Sequence, residues 1–128
     1  MAPSTPGKCV LLVDDDVALL RLVELWLIAG GYNVVACDGF GDAKHQLVLS
    51  PPDLLITDVR LGAFNGLQLV IQAKAQRPET VAIVMSAFDD STLRREAEQA
   101  GALYVLKPLT SDGLLTSVNQ AASSAAEV

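Results

Sequence analysis

Apolar residues in this chain gather into short unbroken runs, separated by longer stretches where they recur at helical spacing. Five runs, near residues 8–13, 33–37, 53–57, 81–85 and 103–107, are apolar nearly throughout rather than alternating. That pattern predicts strands covered on both faces, as in a parallel sheet. Between them the spacing predicts helices near 17–29, 41–49, 66–76 and 91–100, with a last helix starting near 111. Gly30-Gly31, Pro51-Pro52, Pro78 and Gly101 fall where those helices must stop. Strand and helix alternate five times through short connections, which specifies an α/β doubly wound domain. Right-handed crossovers then place helices on both faces of the sheet.

One domain over residues 8–121 accounts for this pattern, with 1–7 as an N-terminal tail. The small, polar end of the chain makes 122–128 a C-terminal tail or the start of a linker. With 51% apolar residues, a folded state is the default. A net charge of −6 argues against nucleic acid binding by this domain. No apolar segment approaches the roughly 20 residues that span a bilayer. The N-terminus lacks the regions of a signal peptide, so a cytoplasmic location is expected. Cys9 and Cys37 are expected reduced and packed, and His45 exposed on a helix without a metal or phosphohistidine role.

Chemistry enters at the ends of four runs. The first stops at Asp14-Asp15-Asp16, the third at Asp58, the fourth at Ser86 and the fifth at Lys107. Ligands of open α/β sheets bind beyond the carboxyl ends of the strands, so these side chains converge on one edge. Asp16 is explained as the N-cap of the first helix. Asp14 and Asp15 are not, and Asp58 joins them if the first and third strands are neighbours. Like charges about 5 Å apart repel by about 3 kcal/mol at an effective dielectric near 20. A divalent cation offsets that repulsion, and carboxylate oxygens with open positions suit Mg²⁺ (or Mn²⁺). Lys107 has the reach to bring an ammonium to Asp58 or to an anion attached there. Pro108 holds Lys107 in extended backbone.

The segments Val13-Asp14-Asp15-Asp16, Ile56-Thr57-Asp58-Val59-Arg60, Val84-Met85-Ser86-Ala87 and Val105-Leu106-Lys107-Pro108 resemble the receiver domain of bacterial response regulators, over roughly residues 8–121. The resemblance implies a flavodoxin-like five-stranded parallel sheet in the order 2-1-3-4-5. It implies that Asp58 accepts a phosphoryl group from a histidine kinase or histidine phosphotransfer domain. Asp14, Asp15, Asp58 and the Arg60 backbone carbonyl would hold Mg²⁺. Ser86 and Lys107 would meet the phosphate, and Ser86 with Tyr104 would form the switch, Tyr104 turning inward in response. The Lys107–Pro108 bond would be cis. Such a domain promotes its own phosphorylation and slow dephosphorylation without being a dedicated enzyme. An aspartyl-phosphate hydrolase would want a second acid two residues after its nucleophile, where this chain has Arg60. A flavodoxin-like cofactor binder would want a phosphate loop where three aspartates stand. The chain departs from the family at Gly62, where proline is usual, and this bears on the stiffness of the loop. Arg60 and Phe88 stand at positions that tune phosphate lifetime in the family.

Two surfaces complete the reading. From 17 to 29 only Arg21 and Glu24 are polar. Taking Leu19, Leu22, Val23 and Trp26 as the core stripe leaves Leu20, Leu25 and Ile28 outward, as a docking face for a partner or a second copy. The fourth helix turns Leu93, Ala97 and Ala100 inward and Arg94, Arg95, Glu96 and Glu98 to water. By resemblance, that helix with Tyr104 and the last helix forms the output face. The last helix lacks Lys and Arg, so no charge-paired dimer is expected across it.

Overall fold

A computed structural model describes residues 8–107 and 110–126. In chain order the elements are β1 (Cys9–Val13), α1 (Val17–Ala29), β2 (Asn33–Cys37), α2 (Phe40–Leu49), β3 (Leu54–Asp58), β4 (Arg60–Leu61), β5 (Phe64–Asn65), α3 (Leu67–Gln76), β6 (Val81–Ser86), α4 (Ser91–Gln99), β7 (Ala102–Leu106) and α5 (Ser111–Ala126). Five strands form one sheet in the order β2-β1-β3-β6-β7, every pairing in it parallel. With the two-residue antiparallel ribbon β4–β5 set aside, this is the expected 2-1-3-4-5 order. The chain winds one way from β1 to β2 and the other way from β3 onward. A crevice therefore opens where β1 and β3 lie side by side.

The unbroken apolar runs are explained by two cores. In β1, Val10 and Leu12 face α1 and α5, where they meet Leu20, Val23, Leu27, Leu114 and Val118. Leu11 and Val13 face the other layer and meet Leu47, Leu69, Val70 and Ala97 of α2, α3 and α4. Alternate side chains bury on opposite faces, so a central strand is apolar almost throughout. Strand ends extend one residue further than the apolar runs, because Asp58 pairs in register with Met85 and Ser86 with Leu106.

The face of α1 differs from expectation. Leu20, Val23 and Leu27 are fully buried, whereas Leu22, Leu25 and Ile28 are 44%, 63% and 51% exposed. Leu20 is therefore core and Leu22 takes its place outside; Leu19 and Trp26 flank the core half-buried. A helix apolar on nearly all sides carries no contrast from which to read its orientation. The contact with β1 and α5 sets it instead.

Cys9 is exposed at the first residue of β1, contrary to the expectation that it packs; Cys37 is half-buried, and both are free thiols. Burial, then the charges of Asp42 and Asp38, push the Cys37 thiol up, so it stays protonated. His45 is exposed as expected. Helix α5 continues to Ala126, and Ala122 joins the core, so the small residues there extend the helix. No helix among the described residues is long and apolar enough to cross a membrane. At the amino edge Asp53 accepts the Cys9 N–H at 2.8 Å and pairs with Arg77 at 2.9 Å. Burial opposes its ionisation, but that hydrogen bond and Arg77 hold the carboxyl below its usual range.

Leu20→Ala is expected to cost about 2–5 kcal/mol in urea unfolding, against no more than about 0.5 kcal/mol for Leu25→Ala. Equal losses would contradict the assigned face.

Candidate functional site

Strand register assembles the site. Val13 pairs with Thr57, so the next residues, Asp14 and Asp58, leave β1 and β3 side by side. Ser86 ends β6 beside Leu106, and the Lys107 N–H donates to the Ser86 carbonyl at 2.8 Å. Asp14, Asp15, Asp58, Ser86 and Lys107 thus come together at the carboxyl edge, as their positions predicted. Carboxylate oxygens of Asp14, Asp15 and Asp58 lie within 4.8 Å of one another. Asp14 is buried, Asp58 half-buried and Asp15 exposed. Asp16 stays outside and caps α1, accepting the Leu19 N–H at 3.1 Å.

Lys107 Nζ donates to Asp14 Oδ2 at 3.1 Å and to Asp58 Oδ2 at 3.2 Å. The Asp16 N–H fixes the other oxygen of Asp14 at 2.9 Å, and the Gly62 N–H reaches Asp15 Oδ2 at 3.1 Å. Three carboxylates therefore face one ammonium. Burial pushes the Asp58 carboxyl above its usual range; Lys107 pulls it back, and the charge of Asp14 pushes it up again. Burial works against the Lys107 ammonium, but its hydrogen bond to Asp14 and the charges of Asp58 and Asp14 outweigh that and raise its pKa. Clustered hard oxygens with uncompensated negative charge fit a hard divalent cation such as Mg²⁺ or Mn²⁺. The Arg60 N–H donates to Asp58, while the Arg60 side chain is exposed.

The sequence pattern marks Gly66 only as the start of a helix; the structure gives it a second role. A β-carbon there would lie 2.0 Å from the Asp58 carbonyl oxygen and 2.8 Å from Thr57 Oγ1. Its N–H donates to the Val59 carbonyl at 2.7 Å, closing the loop beneath Asp58. Asn65 accepts the Leu67 N–H at 2.8 Å and so supplies the cap that Gly66 lacks. The Asn65-Gly66 pair ahead of a helix was the one signal in the sequence.

Ser86 and Tyr104 meet at Phe88. The Ser86 hydroxyl donates to the Phe88 carbonyl and accepts the Phe88 N–H, both at 3.1 Å, while the Tyr104 hydroxyl donates to the same carbonyl at 2.7 Å. Tyr104 is only 6% exposed and already inward. The Arg94 guanidinium lies 4.6 Å from its ring centroid and also pairs with Asp89 at 3.0 Å. Arg94 is thus more than the solvated charge its helix face suggests. Pro108, with its expected cis bond, lies outside the described residues.

A comparison with known families matches the response regulator receiver domain over residues 10–119. The chain belongs to that family. Among its relatives, the transcriptional regulatory protein ZraR of Salmonella typhimurium is 34% identical over 113 residues, covering 88% of this chain and 26% of the relative. The receiver therefore spans about a quarter of that protein's length. In structure it is similar to a CheY-like response regulator receiver domain protein from Methanospirillum hungatei, with a TM-score of 0.89 and 24% identity over 94% of this chain and 98% of that one. It is also similar to the chemotaxis protein CheY4 of Vibrio cholerae, with a TM-score of 0.83 and 22% identity over 90% and 98% of the two chains. At these identities the likeness establishes the receiver fold.

The raised Asp58 pKa has a direction in pH. The folded receiver keeps this proton to higher pH than the unfolded chain, so stability falls as pH rises from the unfolded value near 3.9. In chelator, Asp58→Asn is expected to be more stable than wild type at pH 7, with the gap closing near pH 3.5. Urea unfolding at both pH values checks this; a gap independent of pH would contradict it. Lys107→Met should cost about 1–3 kcal/mol at pH 7, because it leaves the buried Asp14 and the half-buried Asp58 without their charged donor.

Proposed function

We propose that this receiver is a phosphorylation-driven switch in a histidine-to-aspartate phosphorelay, with residues 8–121 as the functional unit and Asp58 as acceptor. The observation that carries this reading is the Asp58 carboxylate held between the Lys107 ammonium and the Asp14–Asp15 pair. An Asp58 oxygen attacks the phosphorus of a phosphohistidine on a histidine kinase or histidine phosphotransfer domain. The P–N bond breaks, imidazole leaves with its electron pair, and an acyl phosphate forms on Asp58. Asp14, Asp15, Asp58 and the Arg60 carbonyl are the groups that would hold Mg²⁺, which when bound neutralises charge on the transferring oxygens. Lys107 begins on the Asp58 carboxylate and ends on the phosphoryl group, so its charge follows the one that develops.

The new group adds about −1.5 to −2 charges. It draws the Ser86 hydroxyl away from Phe88, and the loop carrying Phe88 and Asp89 shifts with Tyr104 and Arg94. The output surface changes in this way, through two populated states. The domain is used once per phosphoryl group and is not a dedicated enzyme; slow self-dephosphorylation resets it. The outward apolar residues of α1, now Leu22, Leu25 and Ile28, offer the docking face for the phosphodonor or a second copy. A cytoplasmic setting accords with this role, and the net charge of −6 argues against nucleic acid binding by this domain.

Incubation with acetyl phosphate and Mg²⁺ is expected to add one phosphoryl group by intact mass, none to Asp58→Asn and none in chelator. Lys107→Met should slow the reaction at least about 100-fold. Phosphorylation of Asp58→Asn to the wild-type extent would sink the assignment.

A further inference from the structure

The three carboxylates are not held equally. Asp14 is buried and bonded to the Asp16 N–H and Lys107, and Asp58 is bonded to Lys107 and the Arg60 N–H. Asp15 is exposed, and among the described residues the Gly62 N–H is the one hydrogen-bond donor to its carboxylate, at 3.1 Å. A surface aspartate without such a bond samples several rotamers, and it loses that freedom when it ligates a metal.

The Gly62 amide is itself fixed. It sits at the turn of the β4–β5 ribbon, with Leu61 buried in the core on one side. On the other side Phe64 stacks on Phe40, ring centroids 4.5 Å apart and planes 10° from parallel. Gly62 has φ +61, a conformation that β-branched residues adopt only under strain. Proline has no N–H and holds φ near −65°, so it excludes both the donor and the turn. Space is not the constraint, because nothing lies within 4 Å of where a β-carbon would be.

We propose that Gly62 is a positioning residue for the divalent cation: its amide pre-sets the Asp15 carboxylate, so the cation meets three oxygens already in place. This inference rests on reading the acidic pocket as a cation site. It makes the glycine, where the family usually has proline, a gain of a donor rather than a loss of stiffness.

Titration calorimetry with Mg²⁺ alone on the full chain tests it. Gly62→Pro is expected to weaken Mg²⁺ binding about tenfold. Gly62→Val, which keeps the N–H but resists φ +61, should do the same if the proline variant does not fold. Gly62→Asn tolerates the conformation and keeps the donor, and should stay within about twofold of wild type. Phe64→Ala serves as a control for general loosening of the loop, and should lower stability more than Mg²⁺ affinity. Wild-type affinity in folded Gly62→Pro or Gly62→Val would overturn the role of the amide. Absence of Mg²⁺ binding by wild type would instead overturn the cation-site reading.

Discussion

Repulsion among Asp14, Asp15 and Asp58 is the constraint to which the carboxyl edge answers. At separations near 5 Å each pair repels by about 3 kcal/mol, and each Lys107 contact near 3 Å attracts by about 5 kcal/mol, at an effective dielectric near 20. Two such attractions roughly cancel three such repulsions, which leaves desolvation opposed only by backbone N–H donors. The site is therefore tense without being unstable, and added positive charge relaxes it. The amino edge shows the alternative. Asp53 stands alone there, with Arg77 and a backbone N–H to satisfy it, and its carboxyl ionises more readily than usual. The same residue type is a satisfied staple at one end of the sheet and a strained, half-buried carboxylate at the other.

The sheet makes this tension possible. Carboxylates on loops would move apart, whereas Asp58 closes β3 and Asp14 directly follows the paired residue Val13 of β1, so this pair has little freedom to separate. Apolar cores on both faces bury the strands and hold the register. Stability of the core is thus coupled to chemistry at its edge, through strand ends that carry polar side chains directly after the apolar runs.

Much of this was legible in the sequence, for identifiable reasons. A central parallel strand is apolar almost throughout, so the runs marked their own ends, and the polar residues closing four of the five pointed to the candidate site. Legibility failed where a side chain answers to a distant partner. Leu20 and Leu22 look alike in a helix with little polar contrast, and only β1 and α5 distinguish them. The tight approach of Gly66 to Asp58, the Phe40–Phe64 stack and the place of Arg94 over Tyr104 each join segments that no local pattern relates. The family resemblance supplied roles for Ser86 and Tyr104, but not the acceptor they share.

That shared acceptor has a mechanical consequence. A carbonyl oxygen has two lone pairs, and at Phe88 both are engaged by hydroxyls from neighbouring strands. If one hydroxyl leaves, the carbonyl keeps a single donor, and the peptide is free to rotate toward the one that remains. Ser86, at the end of β6, and Tyr104, within β7, are therefore joined through one peptide unit, so what displaces one hydroxyl bears directly on the other.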